Sequence, residues 1–361
     1  METFPTPALV IDAATVDRNL KRMADYAEEH DFDVRPHAKT HKSKRFGAAQ
    51  IAAGAIGLTV AKVGEAEVLA TVADDLLVAY TTVGRDPAAR LAKLARHGTV
   101  RVAIDSLEAT EVLAAAARRL SATIGLLVEV DVGLGRTGVQ TPAASLKLAQ
   151  LIDRTAGVRL DGICCYPGHI WQPPADQAPA LAVVSDRLGE IVDLWAEHGL
   201  EARTISGGST PTAYQSHLID DLTEIRPGTY LFNDMNLVRG GFCTLEDCAV
   251  RIVSTVVSTA VAGQFVLDAG SKTLSSDRCV PAPDSGHGYV CEYPEARIAR
   301  LSEEHAQVDA RDCQSQPKVG DRVTIIPNHI CPAINLQDFV WVREDDGHLE
   351  RTPIDARGKV T

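Results

Sequence analysis

The sequence predicts a (β/α)8 barrel of the α/β class followed by an all-β domain. Between residues 33 and 233, eight apolar strand-like runs alternate with amphipathic, often alanine-rich segments. This alternation fits a closed parallel barrel better than an open doubly wound sheet. After residue 232, short β-branched runs are separated by Gly, Pro and Asp turns, which is typical of a sandwich or barrel of strands. The predicted domains are residues 12–240 for the barrel and residues 1–11 with 241–361 for the β domain.

The individual elements follow from the positions of these runs. The barrel strands are predicted at residues 34–38, 57–61, 75–80, 100–105, 124–131, 160–166, 203–207 and 224–232. Helices are predicted at residues 12–30, 106–120 and 180–198, among others. Strands of the β domain are predicted at residues 249–260, 264–268, 289–293, 297–301, 321–326 and 339–343, and residues 9–11 are expected to join them.

Composition limits the class of protein. The 361 residues are enough for two domains, and 45% hydrophobic with 23% charged residues is ordinary for a globular enzyme. The net charge of −12 argues against a nucleic-acid partner, and no apolar run is long enough for a membrane span. Residues 1–7 lack the features of a secretory signal. Eight cysteines without a CxxC spacing then indicate reduced thiols in the cytoplasm.

A basic octet at residues 35–42 (RPHAKTHK) ends the first predicted strand and precedes a helix-like run at residues 45–53. Its cations flank Lys39, and nearby positive charge with partial burial favours the free amine, which can attack a carbonyl. The same cluster also suits an anionic ligand such as a phosphate. On its own the octet does not separate these functions from a solvated basic turn.

Four further runs follow predicted strands five to eight, at the carboxyl ends where barrel enzymes place function: residues 133–138 (GLGRTG), 166–169 (YPGH), 206–210 (SGGST) and 226–230 (RPGTY). The SGGST run favours phosphate, because its backbone N–H groups can approach an anion after the seventh strand; a flexible turn is the alternative. The GLGRTG run spells a dinucleotide fingerprint outside the first βαβ unit, so we interpret it as a tight loop. Within it, Arg136 suits a structural ion pair as well as a cofactor contact.

The β domain contains a second candidate centre at His329-Ile330-Cys331. An imidazole and a thiolate two residues apart on an extended strand point to the same side, and this N/S pair suits zinc. Two ligands are too few for a closed structural site, so positions would remain for water and substrate. A buried cysteine beside a hydrogen-bonded histidine is the alternative, and the pair by itself favours it. His287 and His305 lie in loop-like runs and either line a site or face solvent.

Taken together, these segments resemble the D-threonine aldolase and D-serine dehydratase family of pyridoxal 5′-phosphate (PLP) enzymes, which share the alanine racemase barrel called fold type III. The matching segments run in order through both domains: residues 6–10, 35–42, 129–138, 206–212, 224–230, 267–272, 301–305 and 327–335. The resemblance implies a lyase that acts on a small D-amino acid. It also implies a homodimer.

The same resemblance assigns site residues. It implies that Lys39 binds PLP covalently, that Arg136 lies near the phenolic oxygen of the cofactor, and that Arg226 matches an arginine near the pyridine nitrogen in the racemase branch. The phosphate would be held by Gly207, Gly208, Ser209, Thr210, Gly228 and Thr229, with Tyr230 as a further cofactor contact. Tyr166 and His169 would lie close to the substrate, with Lys39, His169 and Tyr166 as the catalytic set. His329 and Cys331 match the metal pair of the family.

The metal pair bears on the reaction. The dehydratase branch resembles His-x-Cys, which suits zinc, whereas the better-known aldolases resemble His-x-Asp, which suits manganese or magnesium. Cys331 therefore favours a D-serine dehydratase, which forms a keto acid and ammonia, over a D-threonine aldolase, which forms glycine and an aldehyde. A racemase of the same fold is less favoured because it would leave the metal pair idle. A non-catalytic PLP carrier and a metal-only hydrolase are the remaining alternatives.

Overall fold

The computed structural model describes residues 4–361. It contains two compact units. The barrel unit comprises Arg22–Gly228 and Gly358–Thr361, and the β unit comprises Thr229–Arg357 with the residues up to Lys21. The first elements of the chain are β1 (Ala8–Asp12) and α1 (Ala13–Glu29).

The barrel unit contains eight parallel strands, as predicted. They are β2 (Asp33–Val34), β3 (Leu58–Val60), β4 (Asp75–Val78), β5 (Thr99–Ile104), β6 (Ile124–Val130), β7 (Val158–Cys165), β8 (Thr204–Gly207) and β9 (Glu224–Ile225). Their order in the sheet is β2-β9-β8-β7-β6-β5-β4-β3. The edges β2 and β3 are joined by a parallel bridge between His37 and Thr59 and by the bond from the Thr59 amide to the Pro36 carbonyl (2.9 Å). The (β/α)8 fold class is therefore confirmed.

Two barrel strands are much shorter than predicted. Residues 34–38 were expected to be extended, but β2 ends at Val34 and a 3₁₀ turn spans Ala38–Thr40. Residues 224–232 were expected to form one strand, but β9 ends at Ile225 and a second 3₁₀ turn spans Thr229–Leu231. Pro36 and Pro227 explain both differences, because proline has no N–H to donate to a neighbouring strand.

Helices follow most of the barrel strands. They are α2 (Lys44–Ala52), α3 (Val63–Leu69), α4 (Arg85–Leu94), α5 (Leu107–Arg119), α6 (Pro142–Asp153) and α7 (Ala178–Glu197), and a 3₁₀ segment at Ala213–Leu218 follows β8. Ser106 caps α5 by accepting a hydrogen bond from the Ala109 amide, and Thr141 caps α6 in the same way. Across residues 4–361, none of the helices has both the length and the apolar character to cross a bilayer.

The β unit is built on a second sheet. Its strands are β1, β10 (Val250–Ser258), β11 (Gln264–Leu267), β12 (Tyr289–Val290), β13 (Arg297–Leu301), β14 (Ala306–Asp309), β15 (Arg322–Ile326), β16 (Phe339–Arg343) and β17 (Leu349–Pro353). Short helices α8 (Met235–Arg239), α9 (Ser271–Leu274) and α10 (Ile330–Asn335) connect them. The predicted joining of residues 9–11 is confirmed, because β1 pairs antiparallel with β10 and parallel with β16.

A chain of ion pairs between buried and half-buried side chains crosses the barrel unit. Arg35, the first residue of the basic octet, is 1% exposed, and its Nε lies 3.0 Å from Glu224 Oε2 on β9. Its Nη1 lies 2.7 Å from Asp75 Oδ1 on β4. Asp75 also pairs with Arg101, whose Nε lies 2.9 Å from Asp161 Oδ2. Because an unpaired charge is costly in the interior, Arg35 and these carboxylates require one another.

Replacing Arg35 with methionine keeps the volume of the side chain and removes its charge. We expect the Arg35→Met variant to lose about 3–5 kcal/mol of unfolding free energy, because Glu224 stays buried without its guanidinium partner and Asp75 keeps only Arg101. Urea denaturation followed by circular dichroism measures this loss. The control is Arg203→Ala, whose exposed pair with Glu201 is expected to contribute less than about 1 kcal/mol. Equal losses in the two variants would contradict the ion-pair account.

Candidate active site

Lys39 lies immediately after the first barrel strand, in the 3₁₀ turn Ala38–Thr40. His37 begins this turn, and its Nδ1 accepts a hydrogen bond from the Lys39 amide (3.4 Å). Burial, followed by the positive charges of Lys39 and Arg226, holds the pKa of His37 well below its usual value. The imidazole is therefore neutral and can act as the acceptor that shapes the turn.

The basic octet is not a solvated turn. His41 is fully buried, with Nε2 3.1 Å from Gln50 Oε1. Lys42 is 7% exposed, and its Nζ lies 2.8 Å from Glu65 Oε1, so its charge is used in a buried ion pair. Lys39, by contrast, pairs with no carboxylate in the described part of the chain, residues 4–361. Of these two lysines, Lys39 is the one whose amine is available for chemistry.

Tyr166 brings Lys39 and Arg136 together, as the sequence predicted for one rim of the barrel. The Lys39 Nζ lies 5.9 Å from the centroid of the Tyr166 ring, and the Arg136 Cζ lies 5.1 Å from it. Both cations therefore approach the same aromatic ring. His169, from the same loop as Tyr166, is exposed, and its ring packs so closely on Gly133 that a Cβ there would lie 2.8 Å from Nε2.

The GLGRTG run forms the tight loop that was predicted. The Asp131 Oδ1 accepts hydrogen bonds from the amides of Gly133 and Gly135, both at 3.0 Å. Burial would raise the pKa of Asp131, but these two N–H groups and the Gln140 amide outweigh it and lower the pKa. An ionised Asp131 thus holds the loop that carries Arg136 at the barrel rim.

The predicted phosphate loops meet at Gly228. The Gly228 amide donates to Thr210 Oγ1 (3.3 Å), which joins the turn after β9 to the loop after β8. A Cβ at Gly228 would lie 2.8 Å from the His37 carbonyl oxygen and 2.9 Å from Thr40 Oγ1. The backbone of the Lys39 turn therefore lies directly against Gly228, and only glycine fits there.

The loop after β8 offers donors to an anion. Gly208 has a φ of +82°, which favours glycine. Ser209 is buried, and its Oγ lies 3.0 Å from Thr212 Oγ1, which fixes the loop from within. Among residues 4–361, the amides of Gly208 and Thr210 have no backbone acceptor. Free N–H groups in a glycine-rich loop suit a phosphate.

Two hydrogen bonds hold the guanidinium group of Arg226. It is 6% exposed, with Nη1 2.6 Å from Ser206 Oγ and Nη2 2.8 Å from the Cys165 carbonyl oxygen. Ser206 Oγ in turn donates to Glu224 Oε1 (2.5 Å). Sequence reasoning missed this role of Ser206 and Glu224, because they become direct partners only once β8 and β9 are paired.

The candidate metal pair lies in the β unit, but not on a strand. The prediction that His329 and Cys331 share an extended strand is wrong, because His329 immediately precedes α10 and Cys331 lies in its first turn. The Asp234 carboxylate, which is 1% exposed, accepts the Ile330 amide (3.0 Å) and the Leu237 amide (3.3 Å). This buried carboxylate caps two short helices at once and fixes the backbone between the two ligands.

His329 and Cys331 still reach one another. Burial lowers the pKa of His329, but the Cys331 thiol, Asp234 and Asp277 outweigh it and raise the pKa to about 9. Thr229, predicted for the phosphate, places its Oγ1 3.6 Å from Cys331 Sγ, and Tyr230 is buried beside it in the same 3₁₀ turn. Both residues belong to the β unit.

The donor sets fit the expected groups. An available lysine amine, an arginine on the same tyrosine ring and a glycine-rich loop with free amides fit an aldehyde that carries a phosphate. The His329 Nδ1 lies 2.7 Å from Asp277 Oδ2, which leaves Nε2 and the Cys331 thiol as one nitrogen and one sulfur donor. In residues 4–361, no cluster of three or more His, Cys, Asp or Glu side chains suits a metal ion.

A parallel barrel followed by a second sheet in one chain is the fold of the alanine racemases. A family model described as "Alanine racemase, N-terminal domain" matches residues 11–236, and a second described as "Putative serine dehydratase domain" matches residues 249–343. The chain belongs to the alanine racemase N-terminal domain family.

Similar proteins come from both reaction types. The chain is 31% identical to a D-threonine aldolase of Arthrobacter sp., over 98% of this chain and 93% of the relative. It is 32% identical to a D-threo-3-hydroxyaspartate dehydratase of Delftia sp. (strain HT23), over 91% of each. The crystal structure of a D-threonine aldolase from Filomicrobium marinum superposes with a TM-score of 0.91 at 31% identity, covering 99% of this chain and 97% of the other.

The hydroxyaspartate dehydratase has also been solved as a cysteine-to-alanine variant in a metal-free form, with a TM-score of 0.85 and 30% identity over 97% of each chain. Aldolases and dehydratases are lyases, and the chain is an enzyme of this group.

Gly228 gives a direct test of the phosphate loops. In a Gly228→Ala variant, we expect the added methyl group to displace the Lys39 turn or the Thr210 loop, at a cost of about 1–3 kcal/mol in local packing. PLP binding should weaken, which an absorbance titration of the purified protein with PLP measures. Gly189→Ala on α7, where a Cβ has only ordinary contact, is the control. Unchanged PLP affinity in Gly228→Ala would contradict the assignment.

Proposed function

We propose that this chain is a PLP- and zinc-dependent lyase that acts on D-β-hydroxy amino acids. The favoured reaction is D-serine dehydratase-like β-elimination to a keto acid and ammonia. The observation that carries this proposal is the placement of an imidazole and a thiol two residues apart at the start of α10, with His329 oriented by Asp277. A nitrogen and a sulfur donor suit zinc and leave open positions for a substrate hydroxyl.

The proposed roles of the residues follow from their contacts. PLP, when bound at Lys39, supplies the electron sink for the bonds at Cα. Zinc, when held by His329 and Cys331, supplies a Lewis acid for a departing hydroxide. The Lys39 Nζ, which has no carboxylate partner, takes the proton from Cα. Tyr166 and Arg136 position the ring system beside Lys39, and the Thr210–Gly228 contact holds the phosphate end.

Retro-aldol cleavage is the second candidate. It is supported by the similarity to a D-threonine aldolase, which equals the similarity to a dehydratase within one percentage point. It is also supported by His169, an exposed imidazole on the Tyr166 loop that could take the proton from the β-hydroxyl group. In that reaction the Cα–Cβ bond breaks instead of the Cβ–O bond.

Product identification separates the two reactions. We expect the protein loaded with PLP and zinc to convert D-serine to pyruvate and ammonia, and EDTA to abolish this activity until zinc is added back. Chromatography of the products and an ammonia assay measure the outcome. Glycine and acetaldehyde from D-threonine as the main products would establish the aldolase instead. Activity that survives EDTA and interconverts the enantiomers would establish a racemase.

Borohydride trapping tests the covalent role of Lys39. Reduction of the PLP-loaded protein should fix the cofactor on the peptide that contains Lys39, as detected by mass spectrometry. The Lys39→Arg variant should lose the label and lose activity by about 10²–10⁴-fold, the usual contribution of a general base. The Lys44→Arg variant, altered just after the basic octet, should keep both the label and the activity. A label on any other lysine would overturn the assignment.

A further inference from the structure

Asp277 touches the candidate metal ligand without belonging to the candidate pair. Its Oδ2 lies 2.7 Å from Nδ1 of His329. The residue lies in a loop between α9 and β12, where the run Ser-Ser-Asp-Arg carries no recognisable motif. The contact joins residues far apart in sequence, so it became visible only in the folded β unit.

The Asp277 loop is held by its backbone as well. The Asp277 amide donates to Ser275 Oγ (3.2 Å), and the Asp277 carbonyl oxygen accepts from Asn328 Nδ2 (3.1 Å). Asn328 is 2% exposed, and its Nδ2 also donates to the Gly286 carbonyl oxygen (2.8 Å). Because Asn328 directly precedes His329, one side chain ties the Asp277 backbone to the segment that carries the imidazole. The backbones on both sides of this half-exposed pair are thus hydrogen-bonded to each other.

A second carboxylate near His329 has a different task. Asp234 is buried and uses its oxygens on the Ile330 and Leu237 amides, so it fixes the backbone. Asp277 contacts the imidazole itself. In a neutral histidine whose Nδ1–H donates to a carboxylate, the lone pair lies on Nε2, and the ring is both oriented and made a stronger donor to a metal.

We infer that Asp277 is a positioning residue that sets the metal affinity of His329 by holding its ring and its tautomer. This inference rests on the proposed role of His329 and Cys331 as zinc ligands. It adds to that site a carboxylate that orients the histidine ligand, from a loop distant in sequence from both ligands.

The test measures zinc binding to the purified protein in the absence of substrate. Competition with a chromogenic chelator gives the dissociation constant, and the visible spectrum of the cobalt-substituted protein reports the geometry of the ligands. We expect Asp277→Ala to bind zinc about 10–100-fold more weakly and to shift the cobalt bands. Asp277→Glu, which keeps a carboxylate, should recover part of the affinity. Asp277→Asn keeps the size of the side chain and covers the case in which the alanine variant is unstable.

The matched control is Glu304→Gln, because Glu304 forms an exposed ion pair with Lys272 in the same unit. It should leave the zinc affinity and the cobalt spectrum unchanged. Wild-type affinity and spectrum in both Asp277→Ala and Asp277→Asn would overturn the inference while leaving the proposed metal site intact, provided that His329→Ala weakens zinc binding. Unchanged binding in His329→Ala would overturn the metal site and the proposed function together.

Discussion

A single buried carboxylate, Glu224, connects the interior of the barrel unit to its functional rim. It accepts hydrogen bonds from Arg35 and from Ser206, and Ser206 accepts one from Arg226. Glu224 is therefore linked to two buried guanidinium groups, directly to that of Arg35 and through the Ser206 hydroxyl to that of Arg226. Because a lone charge in the interior is far costlier than a paired one, the position of Arg226 at the rim depends on the pairing that closes the barrel below it. The fold and the site are stabilised by the same few polar groups.

Much of the barrel could be predicted, because its information is local. Apolar runs and their alternation located β3 to β8 to within a few residues, and Ser106 and Thr141 stand where helices begin. The two strands that end early were predicted too long because apolarity was followed past Pro36 and Pro227, where pairing stops. Arg35, just after β2, pairs with Asp75 on β4 and with Glu224 on β9, so its position depends on partners from other strands. Such long-range pairings leave no periodic pattern in the sequence.

In the candidate site, too, local runs could be predicted and contacts between distant residues could not. The runs that carry Lys39, Tyr166, Arg136 and Gly228 were predicted because each stands at the carboxyl end of a predicted barrel strand, and the structure brings all four to one rim. The extended geometry expected for His329 and Cys331 was wrong, since the Asp234 carboxylate, nearly a hundred residues earlier, caps a helix between them. Asp277 was missed for a related reason, as an aspartate in a polar loop resembles any solvated residue until its partner is known.

The strand β1 changes how the two halves of the chain should be regarded. The family matches divide the sequence after residue 236, yet β1, at the other end of the barrel segment, lies between β10 and β16 in the second sheet. A module cut at the sequence boundary would lack an interior strand and expose two unpaired edges. The sheet of the β unit therefore contains one strand from the N-terminal end of the chain. Recombination between relatives can exchange the second half as a working piece only if it brings the first dozen residues with it.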